Sequence, residues 1–113
     1  MATERTLADA FHETLKDVYY AEKQSVKALK KSAKAAEAQE LKDAFTKHGE
    51  ESAEQVERLV QVFEIIGKNV RGKTCEAIQG IIAEAEEIIE SFKDSPALDA
   101  GLIASAQAVE HYE

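Results

Sequence analysis

Cysteine occurs once, at Cys75, so no disulfide can form within the chain; this usage fits a reducing cytoplasm. Proline also occurs once, and glycine five times in 113 residues, so little in the sequence interrupts a long helix. Apolar runs extend over only a few residues, which excludes a membrane-spanning helix of the usual length. The N-terminus has no basic segment leading into an apolar run, so no secretory signal peptide is expected. Basic residues are scarce relative to acidic ones, 14 against 22, for a net charge of −8. Affinity for nucleic acid comes mainly from clustered Lys and Arg, so this balance disfavours a nucleic-acid partner. A local basic run at Lys27, Lys30, Lys31 and Lys34 reads as the solvated face of a helix. Glycine-rich phosphate loops, cysteine pairs and serine-nucleophile motifs are all absent.

What is present is helical patterning. Hydrophobic residues make up 44% and charged residues 32%, too apolar for a disordered chain and long enough for one domain over 1–113. Thr6 and Asp9 have the spacing of a capping box. Apolar or small residues then recur at three- and four-residue steps at Leu7, Phe11, Leu15, Val18, Val26, Leu29, Ala33 and Ala36, with Glu22 in the same series. A second stripe starts in a new phase at Leu41, Phe45, His48, Ser52, Gln55, Leu59, Val62 and Ile66. The five-residue step from Ala36 to Leu41 fits neither helical spacing. It predicts a tight turn near 37–39, with one continuous helix containing a phase slip as the competing reading. Gly67 is a suitable C-cap for the second helix. Thr74 can cap a third, with Ile78, Ile81, Ile82, Ala85, Ile88, Ile89 and Phe92 on its stripe. Ser95 as N-cap and Pro96 at the first helical position start a fourth, carrying Leu98, Leu102, Ile103, Ala106 and Val109. The predicted helices are 6–36, 40–66, 75–92 and 96–113, and the fold class is an all-α antiparallel bundle.

Several polar residues occupy positions where a stripe asks for apolar ones. A buried carboxylate such as Glu22 costs several kcal/mol unless it is paired or metal-bound. Counting across a turn near 38 places Glu51 and Gln55 opposite Glu22, with His48 about one turn away. Glu110 and Glu113 are three apart and share a face of the fourth helix. Carboxylates and a histidine converging from several bundle helices are how di-iron carboxylate proteins hold metal, and such ligands suit iron and manganese. The bland readings are that Glu22 reaches solvent at the stripe's edge, that His48 is only hydrogen-bonded, and that Glu110 and Glu113 form a charged end.

Four blocks in order cover nearly the whole chain: Leu15-Lys-Asp-Val-Tyr-Tyr-Ala-Glu22, His48-Gly-Glu-Glu51 through Gln55 to Leu59, Lys73-Thr-Cys through Glu84, and Gln107-Ala-Val-Glu110-His-Tyr-Glu113. Together they resemble the YciE/YciF-like family of the ferritin-like superfamily, a bacterial, stress-associated group. The resemblance implies a ferritin-like helical bundle, a homodimer and a ferroxidase-like di-iron centre. It matches Glu22 to the first-helix metal ligand and Glu110 and Glu113 to the paired glutamates of the third bundle helix. Gln55 stands where rubrerythrin-like members place a ligand histidine, and Ser52 where their glutamate stands three residues earlier. Glu51 is the nearest carboxylate, with His48 a turn before it. Family members continue through a final helix, so the bundle is expected to lack its last helix here and to be completed by dimerisation through helices one and two.

Two functions are therefore expected. One is a stress-associated, ferritin-like protein with a di-iron site made by Glu22, Glu51, Glu110, Glu113, His48 and Gln55, oxidising iron or removing peroxide. Tyr19 and Tyr20 would flank that site, as ligand partners or as core packing. The alternative is a non-catalytic structural homodimer that keeps the fold without a competent metal site.

Overall fold

The computed structural model describes residues 6–112. They form four helices and, among the described residues, no strand: α1 (Leu7–Ala35), α2 (Gln39–Ile65), α3 (Glu76–Ser91) and α4 (Leu98–Tyr112). The chain is an all-α helical bundle, as the stripes predict.

Each boundary has a chemical cause. At the start of α1 the Thr6 hydroxyl accepts from the Asp9 N–H at 3.2 Å, and the Asp9 carboxylate accepts from the Thr6 N–H at 2.9 Å, completing the capping box. At Ala36 the backbone leaves the helical region, so α1 and α2 are separate helices. The turn between them has neither glycine nor proline. It is held from a distance: the Asp99 carboxylate of α4 accepts from the Glu37 N–H at 2.8 Å and from the Ala38 N–H at 2.9 Å. Ala38, the N-cap of α2, has no side chain that could do this. At the other end of α2, Gly67 takes a left-handed φ of 70°. Its N–H donates to Glu64 O and that of Lys68 to Phe63 O, which is a Schellman cap.

The third helix begins one residue later than a Thr74 cap requires. Its N-cap is Cys75, which makes no side-chain cap bond. The Cys75 thiol lies 2.9 Å from the Tyr112 hydroxyl instead, so this residue is fixed by the end of α4. After α3 the chain turns through Asp94 in the left-handed region. The Ser95 hydroxyl then accepts from the Ala97 N–H at 3.1 Å. The Ser95–Ala97 segment forms a turn, so regular α4 starts at Leu98 rather than at Pro96.

α1 and α2 form one antiparallel hairpin. The Lys42 ammonium reaches Ala33 O and Lys34 O near the turn, and Phe63 meets Tyr19 and His12 edge-on at the far end. α3 and α4 form a second hairpin, closed by Gly101 against Ile88 at one end and by Cys75 with Tyr112 at the other. The hairpins meet in a core of Leu29, Ala36, Phe45, Leu98 and Leu102, beside the α1–α2 turn.

The result is long and thin, 58 × 27 × 17 Å, with a radius of gyration of 16.5 Å. A compact chain of this length would have about 13 Å. Part of the first stripe is therefore left uncovered. Phe11 is 50% exposed and Val18 39%, although both lie on the predicted apolar face. Among the described residues no helix is long and apolar enough to cross a membrane.

Candidate metal centre

Glu22 is buried in α1, at 7% exposure, as its place in the stripe requires. Across the α1–α2 interface it shares a groove of about 280 Å³ with Gln55 and Arg58. Gln55 is where the count across the turn puts it. Arg58, one turn further along α2, adds a cation that counting did not single out.

His48, Glu51 and Glu110 come together elsewhere. His48 Nε2 contacts the Glu110 carboxylate across the gap between α2 and α4. Its other nitrogen, Nδ1, lies 3.8 Å from a Glu51 carboxylate oxygen one turn along α2. The imidazole is thus bracketed by carboxylates at both nitrogens. A metal ligand needs one ring nitrogen turned to the ion, with the acids converging on the same point. Here the two carboxylates lie on opposite sides of the ring and are about half exposed. Among the described residues no group of three or more His, Cys, Asp or Glu is placed to hold a metal ion. The described donors accordingly do not fit a di-iron centre. Glu113 lies outside the described residues.

The flanking tyrosines have structural occupations. Tyr19 packs edge-on against Phe63 with ring centroids 5.6 Å apart, and the Lys23 ammonium sits 5.3 Å from its ring centre. The Tyr20 hydroxyl accepts from the Gln79 side-chain amide at 2.9 Å, linking α1 to α3.

Two buried hydroxyls, those of Ser25 and Ser105, escaped the sequence reading as polar groups of interest. Ser25, Ser52 and Ser105 have Oγ atoms without a hydrogen-bond partner among the described residues. Serine is small enough to pass as part of an apolar stripe, and the pattern alone gives no sign that its hydroxyl is stranded.

Similar proteins place the chain. YciF of Escherichia coli K12 is 44% identical over 110 residues, covering 96% of this chain and 66% of YciF. The crystal structure of E. coli YciF, described as a stress protein, superposes with a TM-score of 0.87 over 96% of this chain and 69% of that one. YcfI of Rhodopseudomonas palustris, provisionally described as a structural protein, superposes with a TM-score of 0.90 at 44% identity over the same shares. The chain thus spans about two thirds of the length of these relatives. The family model described as a domain of unknown function, DUF892, matches residues 6–113, and the chain belongs to that family, among its YciF-like proteins.

Proposed function

We propose that this chain is a structural, stress-associated protein that works as a homodimer through α1 and α2. One observation carries the reading. A continuous groove runs along one face of the α1–α2 hairpin, with a cavity of about 510 Å³ near the turn and another of about 290 Å³ beside it. Its floor is apolar or small, including Val26, Ala33, Ala53 and Val56. The α1 rim is basic, with Lys23, Lys27, Lys30 and Lys34, and the α2 rim carries Glu50 and Glu57.

This surface is complementary to itself in only one of the two ways that a pair of hairpins can stack face to face around a two-fold axis. With the axis across the helices, each α1 lies on its partner's α1 and lysine meets lysine. With the axis along the helices, each α1 lies on its partner's α2 and lysine meets glutamate. Charge favours the second arrangement, and the apolar floor supplies burial. The descriptions of YciF as a stress protein and of YcfI as structural support the same reading. The single cysteine is compatible with a cytoplasmic setting.

The test is solution mass combined with charge exchange. The native chain runs at twice its 12.4 kDa mass. Lys27→Glu and Glu50→Lys each shift it to the monomer, and the double variant restores the dimer. Raising the salt concentration weakens association, since the rims are exposed. A native monomer at micromolar concentration would refute the reading.

Iron binding is the second reading, favoured by the burial of Glu22. It requires donors beyond the described set, from Glu113 or a second subunit. Elemental analysis after Fe(II) loading in air decides it: one or two irons per chain would support it, and an iron-free, folded dimer leaves the structural reading.

A further inference from the structure

Between α1, α3 and α4 lies a small cavity of about 20 Å³. Leu29, Phe45 and Val109 make much of its wall, while Ser25, Ser32, Ser105 and Glu110 bring oxygen atoms to it. Ser25 is completely buried. The hydroxyls of Ser25 and Ser105 are both shielded from solvent and have no hydrogen-bond partner among the described residues.

A serine buried in a helix commonly satisfies itself by donating to the carbonyl four residues earlier. Thr46 does so here, to Lys42 O at 2.9 Å. Ser25 and Ser105 do not, and both line the same cavity from different helices. The neighbouring wall positions Ala28, Ala85 and Ala106 show that a residue without a hydroxyl is accommodated there. Two stranded hydroxyls in one alanine-lined space cost stability unless something bonds to them.

Size and chemistry define the occupant. A water molecule needs about 10–15 Å³ of such space and two to four polar partners. The cavity has room for one water and little more. Its partners include the two unpartnered hydroxyls of Ser25 and Ser105, which both donate and accept, and a carboxylate, which when ionised only accepts. An anion is disfavoured by Glu110, and any larger ligand by volume.

We propose that this cavity is a binding site for a single resident water, held by Ser25 Oγ, Ser105 Oγ and the Glu110 carboxylate. The water joins α1 to α4. Through Glu110, which contacts His48, it extends that link to α2. One hydrogen-bonded chain then runs from the interior, beside Ser25, to the half-exposed edge of the bundle. The site does not depend on dimerisation.

Magnetic relaxation dispersion of labelled water oxygen counts long-lived internal waters without interference from exchanging hydroxyl protons. The native protein is expected to show one more such water than Ser25→Val, whose side chain fills the cavity without a hydroxyl. Thermal melts of Ser25→Ala, Ser105→Ala and the double variant provide a second measurement. Hydroxyls that share one water give non-additive losses, with the double variant falling short of the two single effects combined. Equal dispersion in the native protein and folded Ser25→Val would overturn the proposal. If Ser25→Val does not fold, additive losses in the alanine variants overturn it instead.

Discussion

Asp99 performs a task that local residues usually perform. Its two carboxylate oxygens cap the turn before α2 from a different hairpin, and the two backbone N–H groups hold its carboxyl below the usual value of 3.8. A lowered folded pKa means that this contribution is present above the unfolded value and is lost as pH falls through the folded one. Asp99→Ala should lower the melting temperature by several degrees at neutral pH. As pH falls below about 4 the difference from the native chain should shrink, which melts over the acid range would check. Nothing in the sequence marks this role, because the capped residues lie 61 and 62 positions away. Tyr112 shows the opposite shift. The Cys75 contact and partial burial push its hydroxyl up to about 12. Its contribution is therefore present below the ordinary value of 10 and is lost as pH rises from there through about 12. Cys75→Ala should bring tyrosine ionisation back toward 10, leaving burial and the Asp17 charge to raise it, and an ultraviolet pH titration reads this directly.

For whole helices, periodicity was informative where two faces meet and misleading where nothing covers them. Leu15, Leu29, Phe45, Ile78, Ala85, Leu98, Leu102 and Val109 were all placed on predicted stripes and are buried. Phe92 and Ile103 were placed there too, yet they are 42% and 50% exposed. A stripe records where a helix is apolar and cannot tell whether a partner is present. Phe63 shows the reverse error: it was left off its stripe, and it is fully buried against Tyr19 and His12. The face of α2 that packs drifts along its 27 residues, so a strict spacing loses phase towards the end. Between α3 and α4 the limiting position is Gly101, where an added Cβ would stand 2.7 Å from Ile88 Cγ2. A side chain at this position requires Ile88 to shift. Gly101→Ala should destabilise the fold by about 1–2 kcal/mol, because overpacking outweighs the gain in helix propensity. Denaturant unfolding would measure it, and a stabilised variant would show that Ile88 yields freely.

Across the molecule, the sequence placed Glu22 inside the bundle and Gln55 opposite it. It also drew the acids toward one point, yet the described ones do not form one cluster, because helix counting gives level and not direction. His48 and Glu110 meet, but the imidazole separates Glu110 from Glu51 rather than gathering both around one point. Glu22→Leu distinguishes the two functional readings. In a structural protein, replacing a buried charge with a side chain of similar volume is neutral or stabilising. In an iron protein it would abolish metal uptake and the accompanying thermal stabilisation. Melts of native and variant chains with and without Fe(II) should show no iron-dependent shift in either. An iron-dependent rise confined to the native chain would favour the metal site.

The distant cap also gives the molecule a built-in gauge. The Glu37 and Ala38 amides sit in an exposed turn, where backbone protons ordinarily exchange with solvent quickly. Among the described residues their acceptors belong to α4, so their protection depends on whether the second hairpin is docked. Hydrogen exchange at those two amides therefore reports separation of the hairpins, even when every helix remains intact.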